Sequence, residues 1–116
     1  MSDSIPDLEI KVVYGQDERG NDLVRITPAF STVSPYLAVC REFFENGREF
    51  WHVIHRPTKR AIAAFHTRWG ATMGANRVSD YHWDFSNPDY FARKPKVADG
   101  ILYWLKEMQQ KEISHF

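Results

Sequence analysis

The chain has 116 residues, and its 15 lysines and arginines balance 15 aspartates and glutamates, so it carries no formal net charge. That balance argues against a dedicated nucleic-acid binder, whose domain is ordinarily basic. A single cysteine, Cys40, excludes an intrachain disulfide. No apolar run is long enough to cross a bilayer or to form a signal-peptide core. The expectation is one soluble domain over 1–116 in a reducing cytoplasm, with 1–7 as a loose polar tail.

In chain order, 8-LEIKVVY-14 alternates apolar and polar residues with period two and predicts a half-buried strand. The polar loop 15–22 follows, and 23-LVRIT-27 completes a first hairpin that Pro28 is expected to end. The connector 28–35 leads to a strand over 36–44. Asn46-Gly47 then sits between apolar runs, a strong hairpin signal, because a two-residue type I′ turn needs positive φ at both central positions. Such a turn would set Phe43 against Phe50, Arg41 against His52, Val39 against Ile54 and Glu42 against Trp51. One face would carry Leu37, Val39, Phe43, Phe50 and Ile54 with Arg41 and His52. The other would carry Ala38, Cys40, Phe44, Trp51 and Val53 with Glu42, Glu49 and His55. Both faces are thus apolar, unlike a sheet with one wet side.

Pro57 suits the first central position of a turn over 56-RPTK-59, and 60-RAIAAF-65 returns from it in a register the sequence leaves open. Thr67 reads as the N-cap of a helix through about Ser79. Gly70 and Gly74, four apart, would let that helix lie close to the sheet. The aromatic stretch 80–95, broken at Asn87-Pro88, reads as a loop. Pro95 suits the first turn of a last helix over 96–113, whose stripe is Val97, Ile101, Leu105, Met108 and Glu112, widened by Leu102 and Trp104. The fold class is α+β: an antiparallel sheet of about five strands in two or three hairpins, followed by two helices packed on one face. The other face calls for the first of these helices, the 80–95 loop, a second subunit or a partner.

Most chemistries fail on spacing. His52 and His55 lie three apart on a strand, so they point to opposite faces and cannot share a metal ion. No zinc spacing links them to His66, Asp80, His82 or Asp84. Cys40 lacks an aligned base in the expected register and reads as a structural thiol. The run 70-GATMGANR-77 has neither the P-loop ending nor the G-x-G of a dinucleotide site. No catalytic residue, cofactor or metal is assigned.

Charge is unevenly placed. Residues 1–22 hold Asp3, Asp7, Glu9, Asp17, Glu18 and Asp22 against Lys11 and Arg19. Residues 50–79 hold Arg56, Lys59, Arg60, Arg68 and Arg77 with no acid. This middle segment is a cationic patch unless the acidic end folds beside it.

The hairpin 51-WHVIHRPTKRAI-62 followed by 65-FHT-67 resembles small bacteriophage-encoded proteins, in which Trp-x-Val-x-His-x-Pro-Thr precedes Phe-x-Thr at a helix start. The likeness covers about a fifth of the chain, and Lys59 stands where glycine is common. It brings no catalytic residue. It implies a phage or prophage setting, action in the host cytoplasm, and binding to a host complex, complexes of antiviral defence included.

The expected function is a non-enzymatic binding module that docks on a host protein or complex. Its expected surface comprises Trp51, His55, Arg56, Lys59, Arg60 and Arg68, since Trp and Arg most often carry binding energy. The alternatives are nucleic-acid binding by the acid-free segment 50–79 and a structural homodimer.

Overall fold

A computed structural model describes residues 5–114. Of the expected N-terminal tail, residues 1–4 lie outside the described residues. Asp7 is anchored, its carboxylate accepting from the Ser31 N–H at 2.9 Å and the Ser31 hydroxyl at 2.6 Å.

The fold is α+β. Five strands, β1 (Leu8–Gln16), β2 (Asp22–Ser31), β3 (Leu37–Phe43), β4 (Glu49–His55) and β5 (Arg60–Phe65), form one antiparallel sheet in sequence order. Helices α1 (Arg68–Arg77), α2 (Tyr90–Arg93) and α3 (Pro95–Ser114) follow. The four-residue α2 lies inside the stretch expected to be loop. β2 runs on through Pro28 to Ser31, past its expected end, because β1 pairs with it at Glu9↔Pro28 and Leu8↔Ala29. Among the described residues no helix is long and apolar enough to cross a membrane.

The central hairpin corrects the expected register by one residue. The Gly47 N–H donates to the Phe44 carbonyl at 2.9 Å, and the Phe44 N–H to the Arg48 carbonyl at 2.8 Å. Gly47 has φ 86°, while Asn46 is not left-handed. This is a turn with a three-residue loop and a bulged glycine, not a two-residue type I′ turn. Leu37 therefore pairs with His55, Val39 with Val53, Cys40 with His52 and Arg41 with Trp51. A shift of one residue exchanges the faces of β4 relative to β3. Trp51, Val53 and His55 join Leu37 and Val39, and Ile54 and His52 join Ala38 and Cys40.

That exchange accounts for a sheet that is apolar on both sides. Leu37, Val39, Trp51, Val53 and Phe65 form one core with Ala71, Ala75 and Val78 of the α1 region and with Ile101, Leu105 and Met108 of α3. Ala38, Cys40 and Ile54 form a second core with Ile10, Val12 and Ala29. The first hairpin covers the other face, because the sheet curls until the Val13 N–H reaches the Lys59 carbonyl at 2.8 Å. No subunit or partner is needed to bury it. Each large apolar side chain buried this way contributes about 1.5–3 kcal/mol.

Thr67 caps α1 as expected, its hydroxyl accepting from the Gly70 N–H at 2.9 Å. Gly74 brings α1 against Phe65 of β5, whereas Gly70 makes room for Glu112 of α3. Trp83 anchors the segment after α1, its indole N–H donating to the Val78 carbonyl at 2.9 Å.

Candidate functional site

The six residues expected to form one surface separate into four settings. His55 is interior, only 1 % exposed. Its Nε2–H donates to the Trp83 carbonyl at 2.7 Å, so Nδ1 is left to accept from the Thr58 hydroxyl at 2.8 Å. Phe85 stacks on the ring at 4.4 Å. Burial holds the His55 pKa below the ordinary value, against the opposing pull of the Trp83 carbonyl. The neutral ring ties the β4–β5 turn to the segment after α1.

Arg60 is bound to both carboxylate oxygens of Asp22 at 3.1 and 3.0 Å. Part of the acidic N-terminal end thus does fold beside the basic middle. Arg56 and Lys59 line a shallow depression with Glu9, Lys11 and Tyr36, and Arg56 also donates to the Pro35 carbonyl at 3.2 Å. Trp51 and Arg68 lie at the other end of β4 and share a different groove.

That groove, about 530 Å³, arises from an interruption in the sheet. β2 and β3 pair only at Phe30↔Val39 and Ser31↔Ala38. Two residues further, Pro28 has no N–H with which to extend the ladder. The strands part there, β2 staying with β1 and β3 with β4. Successive side chains on a strand alternate faces. The groove is nevertheless lined by Arg25, Thr27, Pro28 and Phe30 from β2 and by Arg41, Glu42 and Phe43 from β3. Both faces of both strands open into it, so it is a gap between strands.

The lining suits recognition. Arg25 pairs with Glu42 across the gap. The Arg41 guanidinium lies 5.4 Å from the Phe43 ring and 5.9 Å from the Trp51 ring, and 3.5 Å from Glu49 in an exposed ion pair. Arg68 sits 4.5 Å over Phe30. Phe43 is 60 % exposed. Trp51 is 7 % exposed, and its indole N–H has no hydrogen-bond partner among the described residues. A buried donor left without a partner costs about 1–3 kcal/mol. Sequence reasoning missed Arg25, Phe30, Arg41 and Phe43, because attention to the acid-free segment 50–79 hides them. The signal in the sequence was Pro28, which cannot donate to a strand ladder, three residues after Arg25.

Beneath the groove, Cys40 faces His52 across β3 and β4. The Cys40 Sγ lies 3.6 Å from Glu42 Oε2, and His52 Nδ1 3.8 Å from the same oxygen. The arrangement looks like a nucleophile and base, yet its electrostatics oppose that use. Burial first, then the Glu42 charge, pushes the Cys40 thiol up to about 12. A thiol so protonated is a poor nucleophile at neutral pH. Burial also holds His52 below its ordinary value despite Glu42. Among the described residues no group of three His, Cys, Asp or Glu side chains is arranged to hold a metal ion.

Comparison with protein-family models, with curated proteins and with solved structures finds no match to this chain.

Proposed function

We propose that the protein is a non-enzymatic binding module that docks on a protein partner through the groove between β2 and β3. The observation that carries this reading is the groove's composition: exposed Phe43, the rim of Trp51 and the arginines Arg25, Arg41 and Arg68. Aromatic and arginine side chains around a partly dry cleft are the commonest anchors of protein interfaces. The likeness of 51–67 to phage-encoded proteins supports a host complex, antiviral-defence complexes included, as the partner, met in the host cytoplasm.

A second reading, binding of single-stranded nucleic acid, is favoured by the alternation of arginines with aromatic rings along the same groove. It requires affinity that falls steeply with salt.

One experiment separates them. Tagged wild-type protein and Arg41→Glu are used to capture partners from bacterial lysate, with and without nuclease, and the captured proteins are identified by mass spectrometry. A stoichiometric protein retained after nuclease by wild type and lost by Arg41→Glu is the expected result. Capture that disappears with nuclease overturns this reading in favour of nucleic acid, and a partner retained equally by both proteins removes the groove from it.

A further inference from the structure

Resting on that reading, we propose that the partner presents an extended, acid-bearing segment that adds as a strand along the free edge of β3, with its carboxylates on the groove arginines. β3 continues as a strand to Phe43, but its pairing with β2 stops at Val39. Alternate residues of Cys40–Phe43 therefore turn N–H and C=O groups toward the gap without a β2 partner. An extended peptide satisfies such an edge through its own backbone.

Charge selects the sign of the side chains. Among the described residues that line the gap, Glu42 is the one acid, beside Arg25 and Arg41. The Arg41–Glu49 ion pair joins two side chains each about half exposed, 55 % and 48 %. Such pairs are worth little in water, so Arg41 can exchange Glu49 for a carboxylate of the partner. A second copy of this chain laid on the same edge would set arginine against arginine, and the same charges that admit an acidic segment reject self-pairing.

The test selects random peptides roughly ten residues long, the length of an ordinary strand, from a yeast-displayed library on immobilised full-length protein. An enriched peptide is then synthesised with and without N-methylation at alternate backbone positions, and binding is read by fluorescence anisotropy. Arg41→Glu and Arg56→Ala serve as groove and control variants, and an oligothymidylate of similar length as competitor. Aspartate or glutamate should be enriched at alternating positions. Binding should weaken roughly ten-fold or more with Arg41→Glu or with N-methylation, and stay unchanged with Arg56→Ala. Amide exchange at Arg41 and Phe43, whose N–H groups face the gap, should slow in the complex. Selection without acidic enrichment, no selection at all, indifference to N-methylation, or full displacement by the oligothymidylate would each overturn the proposal. If lysate capture still returns a protein that depends on Arg41, the binding reading stands and only this class of partner is wrong.

Discussion

Glu112, near the end of α3, completes the N-terminal cap that Thr67 makes on α1. Its Oε2 accepts from the Thr67 N–H at 2.8 Å and the Thr67 hydroxyl at 2.6 Å, and its Oε1 from the His66 N–H at 2.7 Å. The side chain is 1 % exposed. A carboxylate at a helix N-terminus is favoured by the free N–H groups there, and hydrogen bonds to a charged group are worth about 1.5–3 kcal/mol each. Glu112→Gln keeps the volume but replaces an acceptor with a donor. It should cost about 2 kcal/mol, and Glu112→Ala about 3–5 kcal/mol. Urea unfolding measures both, and a Gln variant as stable as wild type would remove the cap from the account.

Glycine-to-alanine changes in α1 should run against helix propensity. Alanine is ordinarily better than glycine in a helix by about 1 kcal/mol. At Gly74 the added Cβ would lie 2.5 Å from the Phe65 ring, which is itself buried in the core, and at Gly70 it would meet the Glu112 carboxylate. Overpacking of this kind costs about 1–3 kcal/mol. Both variants should lower the unfolding midpoint, and a rise in either would contradict the packing.

Lys59→Gly should be neutral or stabilising by up to about 1 kcal/mol. Lys59 has φ 63°, a left-handed conformation that costs a side-chain-bearing residue roughly 1–2 kcal/mol. Glycine removes that cost but adds chain entropy of roughly 0.5–1 kcal/mol. Thermal unfolding of the variant tests this, and a clear loss of stability would show that the lysine side chain contributes something its backbone does not reveal.

Stability should fall as pH drops below neutrality. Burial lowers the folded-state pKa of both His55 and His52 from the ordinary 6.5. As pH falls below 6.5 the unfolded chain takes up protons that the folded chain refuses. The contribution is therefore full above 6.5 and is lost downward through the folded pKa. Urea midpoints at about pH 7.5 and about pH 5.5 should differ less in His55→Gln and His52→Gln than in wild type. An undiminished difference in both would assign the acid sensitivity to other groups.

Cys40 should resist alkylation in the native state. Its side chain is fully buried and its thiol is pushed up to about 12. Iodoacetamide at about pH 8 should leave folded protein unmodified by mass and should label it fully in urea. Labelling of the folded protein at the rate of a free thiol would reopen the Cys40–His52 pair to a catalytic role.

Local rules made much of the fold legible. Thr67 announces the start of α1, and the stripe Val97, Ile101, Leu105, Met108 and Glu112 marks the inward face of α3, Glu112 included, because helical spacing places them on one side. Asn46-Gly47 marks a hairpin, since glycine takes a left-handed φ without cost. These are properties of a few adjacent residues, so a sequence can carry them alone.

The register of β3 on β4 is a different matter. Asn46-Gly47 satisfies a two-residue turn and a three-residue bulged turn alike, and the two differ by one residue in pairing. Packing makes the choice, because only the observed register sets Trp51, Val53 and His55 beside Leu37 and Val39 under α1 and α3, and leaves Ile54 for the first hairpin. The groove has the same origin. Pro28 by itself signals the end of a strand. That β2 continues on its β1 side while β3 turns away, and that Arg25, Phe30, Arg41, Trp51 and Arg68 meet in the gap, depends on how a curled sheet closes. Strand pairing and curl are set by contacts between residues far apart in the chain, so the sequence determined the five strands, the two longer helices and the stripe of α3, and only the tertiary structure decided the register, the covering of the second face and the site.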